Sequence, residues 1–155
     1  MKTNCIDDHS CGHRRWFIVF SSRPKDVKPL FLHRIFTRPE WSHVWAFCWD
    51  PVTGIYLTID PRGNNMFVQP VPVQFTPEQV LQEIAERPTT RAIVQFDKDE
   101  VQRYGFKFHG FHTCVTVMKD LLGIGKMTIQ TPKALFHHLI KSGGVLFFLQ
   151  KKGGQ

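Results

Sequence analysis

No stretch of the chain approaches the roughly 18 apolar residues in a row that a membrane-spanning helix needs. The N-terminal residues, Met1 to Arg15, have no apolar core and carry Asp7, Asp8, Arg14 and Arg15, so they do not form a signal peptide. The expectation is a chain without a transmembrane segment, cytoplasmic as synthesised and not exported by that route. Cysteine is sparse: four residues without a secretory signal do not suggest a disulfide framework. Internal repeats and low-complexity segments are absent. Acidic residues are outnumbered, 13 against 20 lysines and arginines, for a net charge of +7. That balance leans toward acidic partners, but the signs are mixed along most of the sequence. The densest basic zone, from Arg14 through Arg23, Lys25, Lys28 and Arg34 to Arg38, is accounted for by a solvated surface, and nucleic acid is not the expected partner.

What is present is enough for one core. The 155 residues are 42% apolar and 13% aromatic, which fits a single domain over 16–149 between polar tails at 1–15 and 150–155. Cys5, His9, Cys11 and His13 raise zinc, yet they lack the two-residue gap and the distant second pair of common structural sites. They are read as part of a loose tail, and no metal or other cofactor is expected.

Trp16 to Phe20 is an apolar, β-prone run that ends at Ser21-Ser22-Arg23-Pro24 and predicts a buried strand. Lys28 to Phe36 fits a short helix or an extended segment equally. Trp41 to Trp49 is apolar on both faces and predicts a central strand. Asp50 to Gly54 turns the chain, Ile55 to Asp60 returns as the partner strand, and Pro61 to Asn65 turns it again into Met66 to Val71. Thr76-Pro77-Glu78-Gln79 opens a helix with a capping threonine, a proline at the first position and a glutamine able to close a capping box. Arg91 to Phe96 is a further strand, followed by a long connection from Asp97 to Gly110. Thr131-Pro132 caps a helix to about Lys141, with His137 and His138 at its boundary, and Val145 to Leu149 closes the order as a strand. The fold class implied is α+β, an antiparallel meander packed with helices.

The chemistry gathers on a helix beginning at Cys114. Cys114, Val117, Met118, Leu121 and Leu122 recur at i, i+3, i+4, i+7 and i+8, with Thr116, Lys119 and Asp120 on the other side. His112 or Thr113 can cap this helix and Gly123 can end it. The thiol then sits beside unsatisfied N–H groups and the positive end of the dipole, where a thiolate is favoured. Taken alone, Cys114 reads first as a small buried hydrophobe, and the functional reading needs a base from the rest of the chain. Strand alternation puts His43 with Trp45, Phe47 and Trp49 on one face. A tight turn about Pro51-Val52 would set His43 across from Asp60, and a one-residue slip would present Ile59 or Pro61 instead. Cysteine, imidazole and carboxylate are the parts of a thiol catalyst. His109 and His112 are local alternatives for the base. The oxyanion donors would be the Cys114 N–H and one of His112, Tyr56 and Gln95.

Ser42-His43-Val44 opening an aromatic strand, then a hairpin, then much later a cysteine starting an amphipathic helix, resembles the circularly permuted branch of the papain-like NlpC-type cysteine hydrolases. That group includes cell-wall peptidases and amidases and the lecithin:retinol acyltransferase relatives. The resemblance spans Trp16 to Leu149 in element order. It implies a permuted papain-like fold with Cys114 as nucleophile, His43 as base and Asp60 as the orienting residue. It also implies a peptide or peptidoglycan-like substrate cleaved at an amide or isopeptide bond. The compact basic chain looks similar to small phage proteins of this type, for which virion proteins are partners and the virion a location. The aromatic packing around His43 implies either a narrow cleft or a retired site, and a silent binding or structural module on the same fold is the alternative.

Overall fold

The computed structural model describes residues 15–23, 38–50, 55–62, 65–72, 76–97 and 113–150. Six strands, β1 (Arg15–Ser21), β2 (His43–Asp50), β3 (Ile55–Arg62), β4 (Asn65–Pro72), β5 (Thr90–Asp97) and β6 (Val145–Leu149), form one sheet in the order β4-β3-β2-β1-β5-β6. Every pairing in it is antiparallel. Among the described residues three helices, α1 (Pro77–Glu86), α2 (Cys114–Leu122) and α3 (Pro132–Lys141), accompany the sheet in an α+β arrangement. The predicted meander is β2-β3-β4, and β1 and β2 hold the two middle places. Among the described residues no helix is long and apolar enough to cross a membrane.

The continuous apolar run of β1 is explained by cover on both faces. Trp16, Ile18 and Phe20 join Val44, Ala46 and Cys48 of β2, Val115, Met118 and Leu122 of α2, and Leu135, Phe136 and Leu139 of α3 in one cluster. Phe17 and Val19 join Phe47, Tyr56 and Ile93 with Leu81 and Ile84 of α1 in a second, on the opposite face. Within it the Phe17 and Phe47 rings stack at 5.1 Å.

The helices begin where their capping residues stand. Thr76 accepts from Gln79 N and its own N–H donates to Gln79 Oε1, the predicted capping box. Thr131 accepts from Ala134 N at 3.1 Å, with Pro132 at the first position of α3. After α3 the backbone presses close to the sheet: a Cβ on Gly144 would stand 2.9 Å from Leu139 O and from Val94 Cγ1.

Two turn expectations are corrected. The β2–β3 ladder pairs Ala46 with Ile59, Cys48 with Leu57 and Asp50 with Ile55, so opposed numbers sum to 105 rather than the 103 of a tight turn about Pro51-Val52. Four residues, 51–54, connect the last pair, and the longer connection displaces the register by two residues. Pro61 and Arg62, expected in a turn, continue β3, and Pro61 pairs with Met66 of β4. The ladder to β2 begins at Ile59, so the missing N–H of Pro61 interrupts no bond on that side. The segment Lys28 to Phe36 lies outside the described residues, as does the connection after Asp97.

Candidate active site

α2 starts at Cys114 because Thr113 caps it. Thr113 Oγ1 accepts from Thr116 N at 3.1 Å, and Thr116 Oγ1 accepts from Thr113 N at 2.8 Å. The helix ends at Gly123, whose φ of 66° is the left-handed conformation suited to glycine. This reciprocal pair satisfies the first and fourth of the four orphan donors of the helix start. The N–H groups of Cys114 and Val115 are left without a partner among the described residues.

The buried stripe of α2 differs in part from expectation. Val117, Met118 and Leu122 are buried as predicted, Cys114 and Leu121 are half-buried, and Val115 and Lys119 are buried as well. Val115 faces the core because the helix packs against both the sheet and α3. Lys119 buries the stem of a long side chain.

His43 opens β2, opposite Ser21 at the end of β1. The chain entering it is not regular strand: Trp41 and Val44, three residues apart, both pack in the cluster on the α2 and α3 side. Trp41 lies there against Phe20 and Phe136. Strict alternation therefore holds from His43 onward and does not extend back to Trp41. With His43 first in its strand and Cys114 first in its helix, the two side chains stand at element ends, and they are within hydrogen-bonding reach of each other.

His43 Nε2 lies 2.7 Å from Asp60 Oδ1, so the structure also brings Asp60 to the imidazole. The two are diagonal neighbours rather than opposed residues. Extending the register by one pair puts Trp45 across from Asp60. A displacement of two residues preserves which side of the strand each residue occupies, so the pair survives the corrected register. With Nε2 taken by Asp60, Nδ1 is the nitrogen left for the thiol.

Asp60 is held from its other oxygen by Arg62, whose Nε and Nη2 both lie 2.6 Å from Oδ2. Arg62 was not legible in the sequence, because a turn at Pro61 to Asn65 removed it from the sheet. The signal that could have found it is the i, i+2 spacing from Asp60, which puts both on one side of a continuous strand.

The electrostatics follow from these contacts. Burial works against a charged imidazole at His43, but hydrogen bonds with Asp60 and Cys114, and the charges on both, outweigh it and raise the pKa to about 9. Burial of Asp60 opposes its ionisation, and hydrogen bonds from His43 and Arg62 overcome this and lower its pKa. His43 is thus an imidazolium at neutral pH, facing a thiol at a helix N-terminus.

Two of the candidate oxyanion donors are excluded by position. Tyr56 pairs with Trp49, six residues along β2 from His43 and ~20 Å away at strand rise. Its hydroxyl is buried without a hydrogen-bond partner among the described residues, and burial, then Glu78, raises its pKa to about 12. Gln95 pairs with Phe17, which pairs with Phe47, so it is two strands across and four residues along, ~16 Å from His43. His109 and His112 lie outside the described residues, as do Cys5, His9, Cys11 and His13. His137 and His138 lie within α3. Burial, with Lys126 nearby, lowers the pKa of His138. Among the described residues no group of three or more acidic, histidine or cysteine side chains is placed to hold a metal ion.

Comparison with protein-family models, with curated proteins and with solved structures found no match to this chain.

Proposed function

We propose that the chain is a thiol hydrolase of the circularly permuted papain-like, NlpC-type class, cleaving an amide or isopeptide bond through an acyl-enzyme. The observation that carries this is the placement of His43 between the Asp60 carboxylate, at 2.7 Å, and the thiol that opens α2. A core histidine needs one partner, and a packing cysteine needs none. Here the imidazole has both neighbours that a thiol catalyst requires.

In this reaction the Cys114 thiolate attacks the carbonyl carbon. The oxyanion takes hydrogen bonds from the N–H groups of Cys114 and Val115, which have no partner among the described residues, at the positive end of α2. The His43 imidazolium gives its proton to the leaving amine as the C–N bond breaks, leaving a thioester. His43, now neutral, takes a proton from water as it attacks the thioester carbonyl, the C–S bond breaks, and the carboxylic acid leaves with the Cys114 thiolate and the His43 imidazolium restored. Asp60 keeps the ring oriented and stabilises its charged form throughout. A peptidoglycan stem peptide or a related isopeptide is the proposed substrate, on the strength of the resemblance.

The second reading, a catalytically silent binding or assembly module on the same fold, draws on exposed apolar side chains at both sheet margins. Met66, Phe67 and Val68 of β4 and Val145, Leu146 and Phe147 of β6 are all exposed. Thiol labelling separates the two. As a hydrolase the protein alkylates Cys114 with iodoacetamide well below pH ~8, far faster than Cys48, and His43→Ala slows that labelling. Equal, slow labelling of Cys114 and Cys48 would rule out the hydrolase.

A further inference from the structure

Each oxygen of the Asp60 carboxylate is taken by a different cation. Oδ1 meets His43 Nε2 at 2.7 Å, and Oδ2 meets two nitrogens of the Arg62 guanidinium at 2.6 Å. The guanidinium in turn lies over the Phe67 ring, 5.7 Å from its centroid, and Phe67 is the residue paired with Asp60 across the β3–β4 ladder. Arg62 is thus fixed at both ends, by a carboxylate ahead and an aromatic face beneath.

We infer that Arg62 is a positioning residue: by gripping Oδ2 it turns Oδ1 toward His43 and so holds the imidazole in line with Cys114. The catalytic meaning of this rests on the proposed hydrolase, but the coupling itself does not. Asp60 has 17% of its side chain exposed, so without Arg62 the carboxylate is free to rotate toward water. Arg62 is 70% exposed and at a strand end, so its direct charge effect is screened and its removal leaves both cores intact.

Charge and positioning act on His43 with opposite signs. Among the described residues the titratable groups facing His43 are Asp60 from β3 and Cys114 from α2, with Arg62 behind Asp60. If Arg62 acted only as a nearby positive charge, removing it would make His43 easier to protonate. If it positions Asp60, removing it loosens the hydrogen bond that offsets burial, and His43 becomes harder to protonate.

The experiment is an NMR titration of the His43 ring in the wild type, Arg62→Ala, Arg62→Lys and Asp60→Asn, and in Arg62→Ala combined with Asp60→Asn. Positioning predicts that the His43 pKa falls by about one pH unit in Arg62→Ala and by less in Arg62→Lys, which keeps the charge but not the planar grip. It also predicts no further fall when Arg62→Ala is added to Asp60→Asn. A His43 pKa that rises or stays put in Arg62→Ala overturns the inference, as does an equal further fall in the Asp60→Asn background. Iodoacetamide labelling of Cys114 in the same proteins keeps the two claims apart. An inert thiol with the expected His43 titrations ends the hydrolase proposal and leaves Arg62 as the residue that orients Asp60.

Discussion

His43 and Asp60 are joined at 2.7 Å from diagonal positions on neighbouring strands, not from positions directly opposed. A diagonal pair relies on side-chain reach, and the acceptor geometry matters as much as its charge. Asp60→Asn keeps the shape and removes the charge. It should lower the His43 pKa by about 1 to 2 pH units and slow Cys114 alkylation near neutral pH about tenfold or more. Labelling unchanged from the wild type would show that Asp60 has no part in activating the thiol.

The same pair makes stability depend on pH with a definite sign. The folded pKa of His43 is raised to about 9, so its stabilising contribution is complete below about 6.5 and is lost as pH rises through about 9. Asp60 works in the other direction: its pKa is lowered, so its contribution is present above the ordinary carboxylate value and is lost as pH falls through the folded one. Urea denaturation of the wild type and of His43→Gln should show a stability gap that narrows steadily between about pH 6.5 and 9.5. A gap independent of pH would contradict the ionic character of the contact.

The start of α2 depends on the exchange between Thr113 and Thr116. Thr113→Ala removes one acceptor and should cost about 1 kcal/mol, seen as a fall of several degrees in Tm by calorimetry. Because the cap also defines where the helix begins, labelling of Cys114 should slow in the folded protein. A Tm within about one degree of the wild type would mean that the cap is dispensable.

Two glycines make a paired test of close packing. A Cβ at Gly144 meets Leu139 O and Val94 Cγ1 at 2.9 Å, whereas one at Gly125 meets nothing within 4 Å. Gly144→Ala should therefore destabilise by about 1 to 3 kcal/mol through forced movement of the α3–β6 connection, and Gly125→Ala by no more than about 0.5 kcal/mol. Equal effects in denaturant titrations would contradict the close approach of the Gly144 backbone to β5.

Strand and helix identities were legible because their signals are local. Apolar β1 and β2, the threonine caps at Thr76 and Thr131, and the Gly123 stop each announce themselves within a few residues. Register was not local, since it depends on how many residues the chain spends between Asp50 and Ile55. The His43–Asp60 pair survived only because the displacement was even. Arg62 was missed because Pro61 reads as a turn residue, and its tolerance within β3 depends on β2 ending its ladder at Ile59. The burial of Val115 was hidden for a similar reason: one periodic stripe cannot foretell a helix packed against two neighbours at once.

The two margins of the sheet are guarded unequally. β4 carries Pro70 and Pro72, which lack the donors that a further strand would pair with. β6, Val145-Leu146-Phe147-Phe148-Leu149, has neither proline nor charge, and among the described residues only β5 pairs with it. Among the described residues the sheet is therefore directional: one side is built to terminate, and the other leaves main-chain donors and acceptors, with apolar side chains around them, suited to pairing with another strand.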